Sequence, residues 1–325
     1  MPHHHKLSAE ERSVLAALKR EGLSQRAIAD RMDRSVSTIS DELKRNGAAA
    51  GYDPHAAHLQ TKLRRWEANR SNPAKPKRFD AFVEEKLKEG WSPEIIAGRM
   101  RKDFPSDPVM HAVHETIYQR AYRLGLAQLL PRRKPRRERR RYRLQKARGN
   151  QGLGHVQGIE HRPEEANART RCGHWEGDTM LGRRASGPAV SVQTDRLSRY
   201  LLLTKMRRKT ASAMRRAVRV RLQSFPRALR RTLTLDRGTE NAQWQSFGLP
   251  VFFCDPYSSW QKGSVEQVIG LVRRYIPKGT DLRLVTPKQL RAIQDRLNNR
   301  PRKVLGFQTP AEVFSSHCKS LGVRI

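Results

Sequence analysis

Acidic residues are what this chain most lacks. Of its 325 residues 31 are Asp or Glu, against 66 Lys or Arg, which leaves a formal net charge of +35. Self-repulsion on that scale opposes compaction and asks for a polyanion nearby. Nucleic acid is the first candidate, because neutralising phosphates releases their counterions; an acidic membrane surface is the rival. Long apolar runs are missing too. No stretch approaches the ~18 residues of a spanning helix, and no apolar signal-peptide core follows Met1. The expectation is a cytoplasmic protein with no membrane partner. Cysteine is scarce: Cys172, Cys254 and Cys318 are odd in number and lack zinc-ligand spacing. That argues against a disulfide framework and a structural zinc, and for free thiols in a reducing compartment. Aromatic residues make up 6% of the chain. With no aromatic-rich strand, a base-stacking RNA module is disfavoured. His3, His4 and His5 read as a solvated tail rather than a metal site.

What is present begins with capped helices. In LSAEERSVLAAL, Ser8 and Glu11 form a capping box, and Leu7, Val14, Leu15 and Leu18 give the apolar side. Ser24 caps a second short helix with Ile28, Ala29 and Met32 inward. Ser35 caps a third with Val36, Ile39 and Leu43 inward. Three short helices, the last two joined by a tight turn, fit a helix-turn-helix unit over 1–68. Its last helix would lie in the major groove with Ser35, Ser37, Thr38, Lys44 and Arg45 toward DNA. A small helical bundle with solvated faces is the plainer alternative. A second, weaker helix-turn-helix pattern covers 79–130. Ser92 and Pro93 open one helix there. His114 and Thr116 open another, with Ile117, Ala121 and Leu124 inward. Residues 131–168 form a basic linker. Its run PRRKPRRERRR, with Arg132, Arg133, Lys134, Arg136 and Arg137, cannot build a core and suits an arm that tracks phosphates.

From residue 169 to 325 short strands replace caps. The order is strand, strand, strand, helix, strand, strand, helix, helix. Three hairpin-linked strands followed by crossover strands predict a mixed five-stranded sheet with flanking helices, the order of an α/β ribonuclease H-like fold. In KTASAMRRAVRVRLQSF, Ala213, Met214, Ala217, Val218 and either Val220 or Leu222 face inward. His174, Glu176 and Asp178 share one face of the first strand, with Trp175 and Gly177 on the other. In that fold the first and fourth strands are parallel neighbours. Asp178 and Asp236 then lie side by side, and Glu266, on the helix after the fifth strand, can lean over both. Each acid alone has a plainer reading: a strand end, a turn, a helix surface. Together they suit two Mg²⁺ ions, with Mn²⁺ as a substitute, for phosphodiester cleavage and joining. Lys262 either reaches a DNA phosphate or is a solvated loop lysine, and Arg273 and Arg274 extend a basic edge. Glu240 is close to Asp236 in sequence but opens the next turn and is expected to point elsewhere.

GHWEGD (173–178), DRGTEN (236–241), DPYSSWQKGSVEQVIGLVRRYIPKGTDL (255–282) and NNRPRKVLGFQTPAEVF (298–314) resemble the insertion-sequence-thirty family of bacterial transposases. So do STISDELKRNG (37–47), WSPEIIAGRM (91–100) and HETIY (114–118), so the resemblance spans nearly the whole chain. It implies a DDE transposase that nicks and joins DNA at element ends, with no covalent protein–DNA intermediate. The triad then falls on Asp178, Asp236 and Glu266, acting at the bacterial nucleoid. Partners implied are double-stranded DNA (terminal inverted repeats and target) and further copies of the chain in a dimer or larger synaptic complex. The sequence departs from the family at Asp41, where Arg is expected. Around the glutamate, Val265, Gln267, Val268 and Ile269 replace Asn/Thr-rich surroundings. Asp236 and Glu266 stand thirty residues apart, a few fewer than the family pattern. Two alternatives stay open: a transposase-derived repressor that binds DNA without catalysis, and a structure-specific nuclease of the same fold.

Overall fold

A computed structural model describes residues 6–48, 51–70, 75–130, 153–183, 187–256 and 258–323. The chain divides into two compact units, Met1–Lys75 and Pro76–Ile325. Among the described residues no helix is long and apolar enough to cross a membrane.

In the first unit the caps do what their spacing requires. The Ser8 hydroxyl accepts the Glu11 amide at 3.1 Å and the Ser8 amide donates back to the Glu11 carboxylate at 2.6 Å, opening α1 (Ala9–Arg20). Ser24 and Ser35 each accept one amide to start α2 (Gln25–Arg31) and α3 (Val36–Asn46). Such caps contribute about 1 kcal/mol apiece. Leu7, Leu15, Leu18, Ile28, Ala29 and Ile39 close the core. Val14 and Val36, expected inward, are exposed. The position on α1 that turns inward is taken by Arg12, whose guanidinium pairs with Glu42 of α3 at 2.7 Å. A minimal hairpin, β1 (Gly47–Ala48) and β2 (Gly51–Tyr52), leads into α4 (Pro54–Arg70). The sequence pattern does not announce α4 by periodicity, although its start is marked. Asp53 accepts the amides of His55 and Ala56, and Pro54 sits first in the helix.

The second unit opens with α5 (Lys77–Lys88), α6 (Pro93–Asp103) and α7 (His114–Arg123), packed around Phe79, Val83, Leu87, Ile96, Met100 and Ile117. Both ends of the Asp80 carboxylate receive the Arg120 guanidinium, which ties α5 to α7. Leu124, expected inward, is exposed because α7 has already ended at Arg123. A short α8 (Glu164–Asn167) precedes the sheet.

The strands are β3 (His174–Leu181), β4 (Ala189–Asp195), β5 (Leu201–Met206), β6 (Thr232–Leu235) and β7 (Val251–Phe253). Their order across the sheet is β5-β4-β3-β6-β7. β3, β4 and β5 pair antiparallel, while β6 runs parallel to both β3 and β7. α9 (Ala211–Leu222), α10 (Gly263–Val272), α11 (Pro287–Asn298) and α12 (Pro310–Ser320) complete the unit. α9 and α12 cover the face with Trp175, Leu233 and Leu235. α10 and α11 cover the face with Met180, Val190 and Val192. On α9 it is Leu222 that is buried and Val220 that is exposed. Gly177 is needed in β3 because a Cβ there would come within 2.6 Å of the Leu235 side chain.

Two features shape the periphery. Gln294 and Asn298 of α11 accept the backbone amides of Leu203 and Leu201 at 3.0 and 2.8 Å along β5. Across the unit, Arg99 of α6 holds both oxygens of Glu312 on α12 at 2.7 Å, and the Phe307 ring lies against Gly98.

Candidate active site

The β3–β6 register builds the centre of the site. His174, Trp175 and Glu176 lie opposite Thr232, Leu233 and Thr234. Carrying that pairing two residues further sets Asp178 beside Asp236 just past the end of β6. Alternation turns both toward the α10 side, because their neighbours Gly177 and Leu235 face the opposite core. Asp236 is steadied by the Gly238 amide at 3.3 Å and the Asn241 side chain at 3.2 Å, and Asp178 by the Thr179 amide at 2.7 Å. Each uses one carboxylate oxygen for this and leaves the other free to face its neighbour.

Those remaining oxygens converge on one cation. The Lys262 ammonium sits 3.2 Å from Asp178 and 2.9 Å from Asp236. Burial pushes the Asp178 carboxyl above its ordinary value, against the pull of Lys262. Burial works against the Lys262 charge too, but the two carboxylates outweigh it and raise its pKa. Lys262 is 2% exposed. The sequence offered a phosphate contact or a solvated loop lysine; here it is buried and its charge is engaged between two acids. It stands at the N-terminal boundary of α10, held by a loop in which Gln261 and Asp255 exchange two 2.8 Å hydrogen bonds.

Glu266 lies one turn further on, exposed in the first turn of α10. The structure thus brings Asp178 and Asp236 together and keeps Glu266 at the rim. Among the described residues no three His, Cys, Asp or Glu side chains are grouped to hold a metal ion. A further acid reaches the same helix. Glu176, fully buried, accepts the Val265 amide at 3.0 Å and pairs with Arg196. Arg199 donates to the Ser264 hydroxyl beside it. The strand that carries Asp178 therefore also fastens the start of the helix that carries Glu266. Period-two alternation in HWEGD put Glu176 on the right face, but no local signal marked its partner. His174 is buried between Thr232 and Glu165, and burial lowers its pKa to about 4. Glu240 points away, paired with Lys209 at 3.0 Å.

The remaining candidates are scattered. Ser35 is spent on its cap, while Ser37, Lys44 and Arg45 are exposed on α3 and Thr38 is half-buried. Arg45 stands 3.8 Å from Asp41 on the same face. His114 is exposed and Thr116 half-buried at the start of α7. Arg273 donates to the Leu181 carbonyl at 2.7 Å and so ties α10 to the end of β3, whereas Arg274 is exposed. Arg132, Arg133, Lys134, Arg136 and Arg137 lie outside the described residues.

Comparison with known proteins places this arrangement. A helix-turn-helix domain family matches residues 3–46, the span of α1 to α3. The transposase for insertion sequence element IS1086 of Cupriavidus metallidurans is 37% identical, over 95% of this chain and 94% of its own length. Transposase InsI for insertion sequence element IS30A of Escherichia coli is 36% identical, over 95% and 83%. This chain belongs to the insertion-sequence-thirty family of transposases. The transposase for insertion sequence element IS4351 of Bacteroides fragilis, 33% identical over 95% of both chains, extends the kinship to a more distant member. Such coverage includes both units of the transposase, the helical one and the one with the acid pair.

Proposed function

We propose that this transposase cleaves and joins DNA strands at the ends of its insertion element, in a metal-dependent reaction on a ribonuclease H-like fold. Asp178, Asp236 and Glu266 are its metal ligands. One observation carries the reading: two carboxylates from neighbouring parallel strands converge on a single cation, the Lys262 ammonium. That ammonium stands in for a metal ion, and the donors facing it are the hard oxygens Mg²⁺ prefers. Mg²⁺ bound by these carboxylates would supply an activated attacking oxygen and a stabilised leaving oxygen. Asp178 and Asp236 are fixed by strand register and backbone amides, so they present their oxygens without reorganising. Glu266 adds a third carboxylate from the helix that Lys262 begins. The helix-turn-helix unit reads the element ends through α3, and the charge of +35 supplies attraction to duplex DNA. Joining two ends to a target calls for a dimer or larger complex.

A second reading has its own support. Lys262 fills the cation position and Glu266 stays at the rim, which suits a DNA-binding repressor that does not cut. Incubation with element-end DNA separates the two. Nicking and joining in Mg²⁺ or Mn²⁺, abolished by Asp236→Asn with DNA binding retained, is the expected result. Wild-type protein that binds the ends but leaves them intact in both metals establishes the repressor instead.

A further inference from the structure

A cleft of about 690 Å³ opens along α10, lined by Arg199, Arg274, Arg300 and Arg302, with Gln267 among the α10 residues. Arg199 and Arg300 are 7% and 4% exposed. The Nε atoms of Arg199, Arg300 and Arg302 are buried with no hydrogen-bond partner among the described residues. The one acid in the lining, Glu94, is paired with Lys303 at 2.6 Å. Four guanidiniums thus share a cavity whose only carboxylate is already engaged. Buried charges are ordinarily paired, because desolvating an unpaired one is costly. Burial presses the pKa of Arg199 and Arg302 down to about 10, and for Arg302 the neighbouring guanidiniums of Arg300 and Arg274 add to it. Arg199 donates once to Ser264 and feels Glu176 and Asp195, and Arg302 donates once to the Leu297 carbonyl, but no carboxylate offsets Arg300 or Arg302.

We propose that this cleft is a phosphate-binding subsite that grips the backbone of a DNA strand beside the acid pair, with Arg199, Arg300 and Arg302 as its ligands. The guanidinium fork matches phosphate oxygens two at a time, and several forks around one cavity suit a tetrahedral anion. The cavity is far larger than one phosphate and within the range of sites that take whole small molecules, so a phosphodiester with its sugars fits it better than a free anion. Gln267, Val268, Gly270 and Leu271 of α10 line it, and Gln267 follows Glu266 directly, so the cleft adjoins the turn that carries Glu266. The choice of DNA as the phosphate source rests on the function proposed above; the anion site itself does not.

The test is binding without catalysis. Affinity of the full chain for a labelled duplex of unrelated sequence is measured by anisotropy in EDTA across a KCl series, for wild type, Arg300→Gln and Arg302→Gln. Each phosphate that is no longer neutralised should reduce the slope of log affinity against log salt by about 0.9. The Gln variants are expected to show a slope shallower by about one unit, and Arg302→Lys to recover most of it. Their melting temperatures without DNA should equal or exceed that of wild type, because a repelling charge has gone. Wild-type slopes in both Gln variants overturn the proposal, whatever their melting temperatures. Stabilisation of wild type by tripolyphosphate at matched ionic strength, abolished in the variants while their duplex slopes stay unchanged, overturns DNA as the source and leaves a free polyphosphate site. Since no metal is present, wild type that shows the slope yet never cuts in Mg²⁺ counts against the catalytic reading alone.

Discussion

At the scale of single residues the site turns on Lys262. It neutralises two carboxylates that would otherwise face each other across neighbouring strands. Lys262→Met is expected to destabilise the unit by about 2 kcal/mol. That is below the usual cost of orphaning a buried charge, because Asp236 is half exposed and partly screened. Mg²⁺ should return more of that loss to the variant than it adds to wild type, since the metal no longer competes with an ammonium. Thermal melts with and without millimolar Mg²⁺ check this; equal shifts in the two proteins would remove Lys262 from the cation position. Asp178 and Asp236 were legible in the sequence because strand alternation and strand order are local patterns. Lys262 was visible as a residue but not in its role. Its two partners lie 84 and 26 residues away in sequence, and only the folded loop aims it. Arg12 carries the same lesson. Nothing in the helical pattern singles it out, and it is the buried link from α1 to α3.

Among elements, caps and alternation made most of the fold legible. The helices whose Ser or Thr caps stand out in the sequence are present, and so are all five strands. What failed was the inward assignment of Val36 and Leu124 at helix ends, and of Val14 within α1, where Arg12 turns inward instead; all three meet solvent. The region between β6 and β7 holds two tight 3₁₀ turns, Thr239–Asn241 and Trp244–Ser246. The contact of α6 with α12 had no local signature, because Arg99 and Glu312 meet only through the fold. Hydrogen bonding to Arg99 holds the Glu312 carboxyl at about 2, below its ordinary 4.5, although burial opposes the shift. A depressed acid contributes stability above the unfolded value and loses it as pH falls from about 4.5 to about 2. Glu312→Gln should therefore cost about 1 kcal/mol at pH 7, discounted because the group is partly exposed. In urea melts its deficit relative to wild type should shrink across that acid window. A deficit independent of pH would assign the loss to the Thr309 cap that Glu312 also serves.

For the whole molecule, composition said most about partners and least about boundaries. A charge of +35 is legible at a glance, but the division near residue 75 is set by which cores close. The first unit closes its own, on Leu15, Ile28 and Ile39, with the buried Arg12–Glu42 pair. A fragment ending at residue 75 is expected to melt cooperatively and to keep its helical circular dichroism. Non-cooperative loss of signal on heating would show that the unit depends on the rest of the chain.

The amides of Gln294 and Asn298 occupy the hydrogen-bonding groups that β5 would offer to a sixth strand, and Asn298 also returns a bond to the Leu201 carbonyl at 2.9 Å. On the far side the Phe253 amide is taken by the Gln157 carbonyl at 2.8 Å. A helix and a loop thus act as selvedges for the sheet. Exposed strand edges are templates on which other chains can add, and here backbone groups on both edges are already engaged. An edge engaged in this way is a poor template for strand addition, so this sheet is kept from growing by the unit's own side chains and loop.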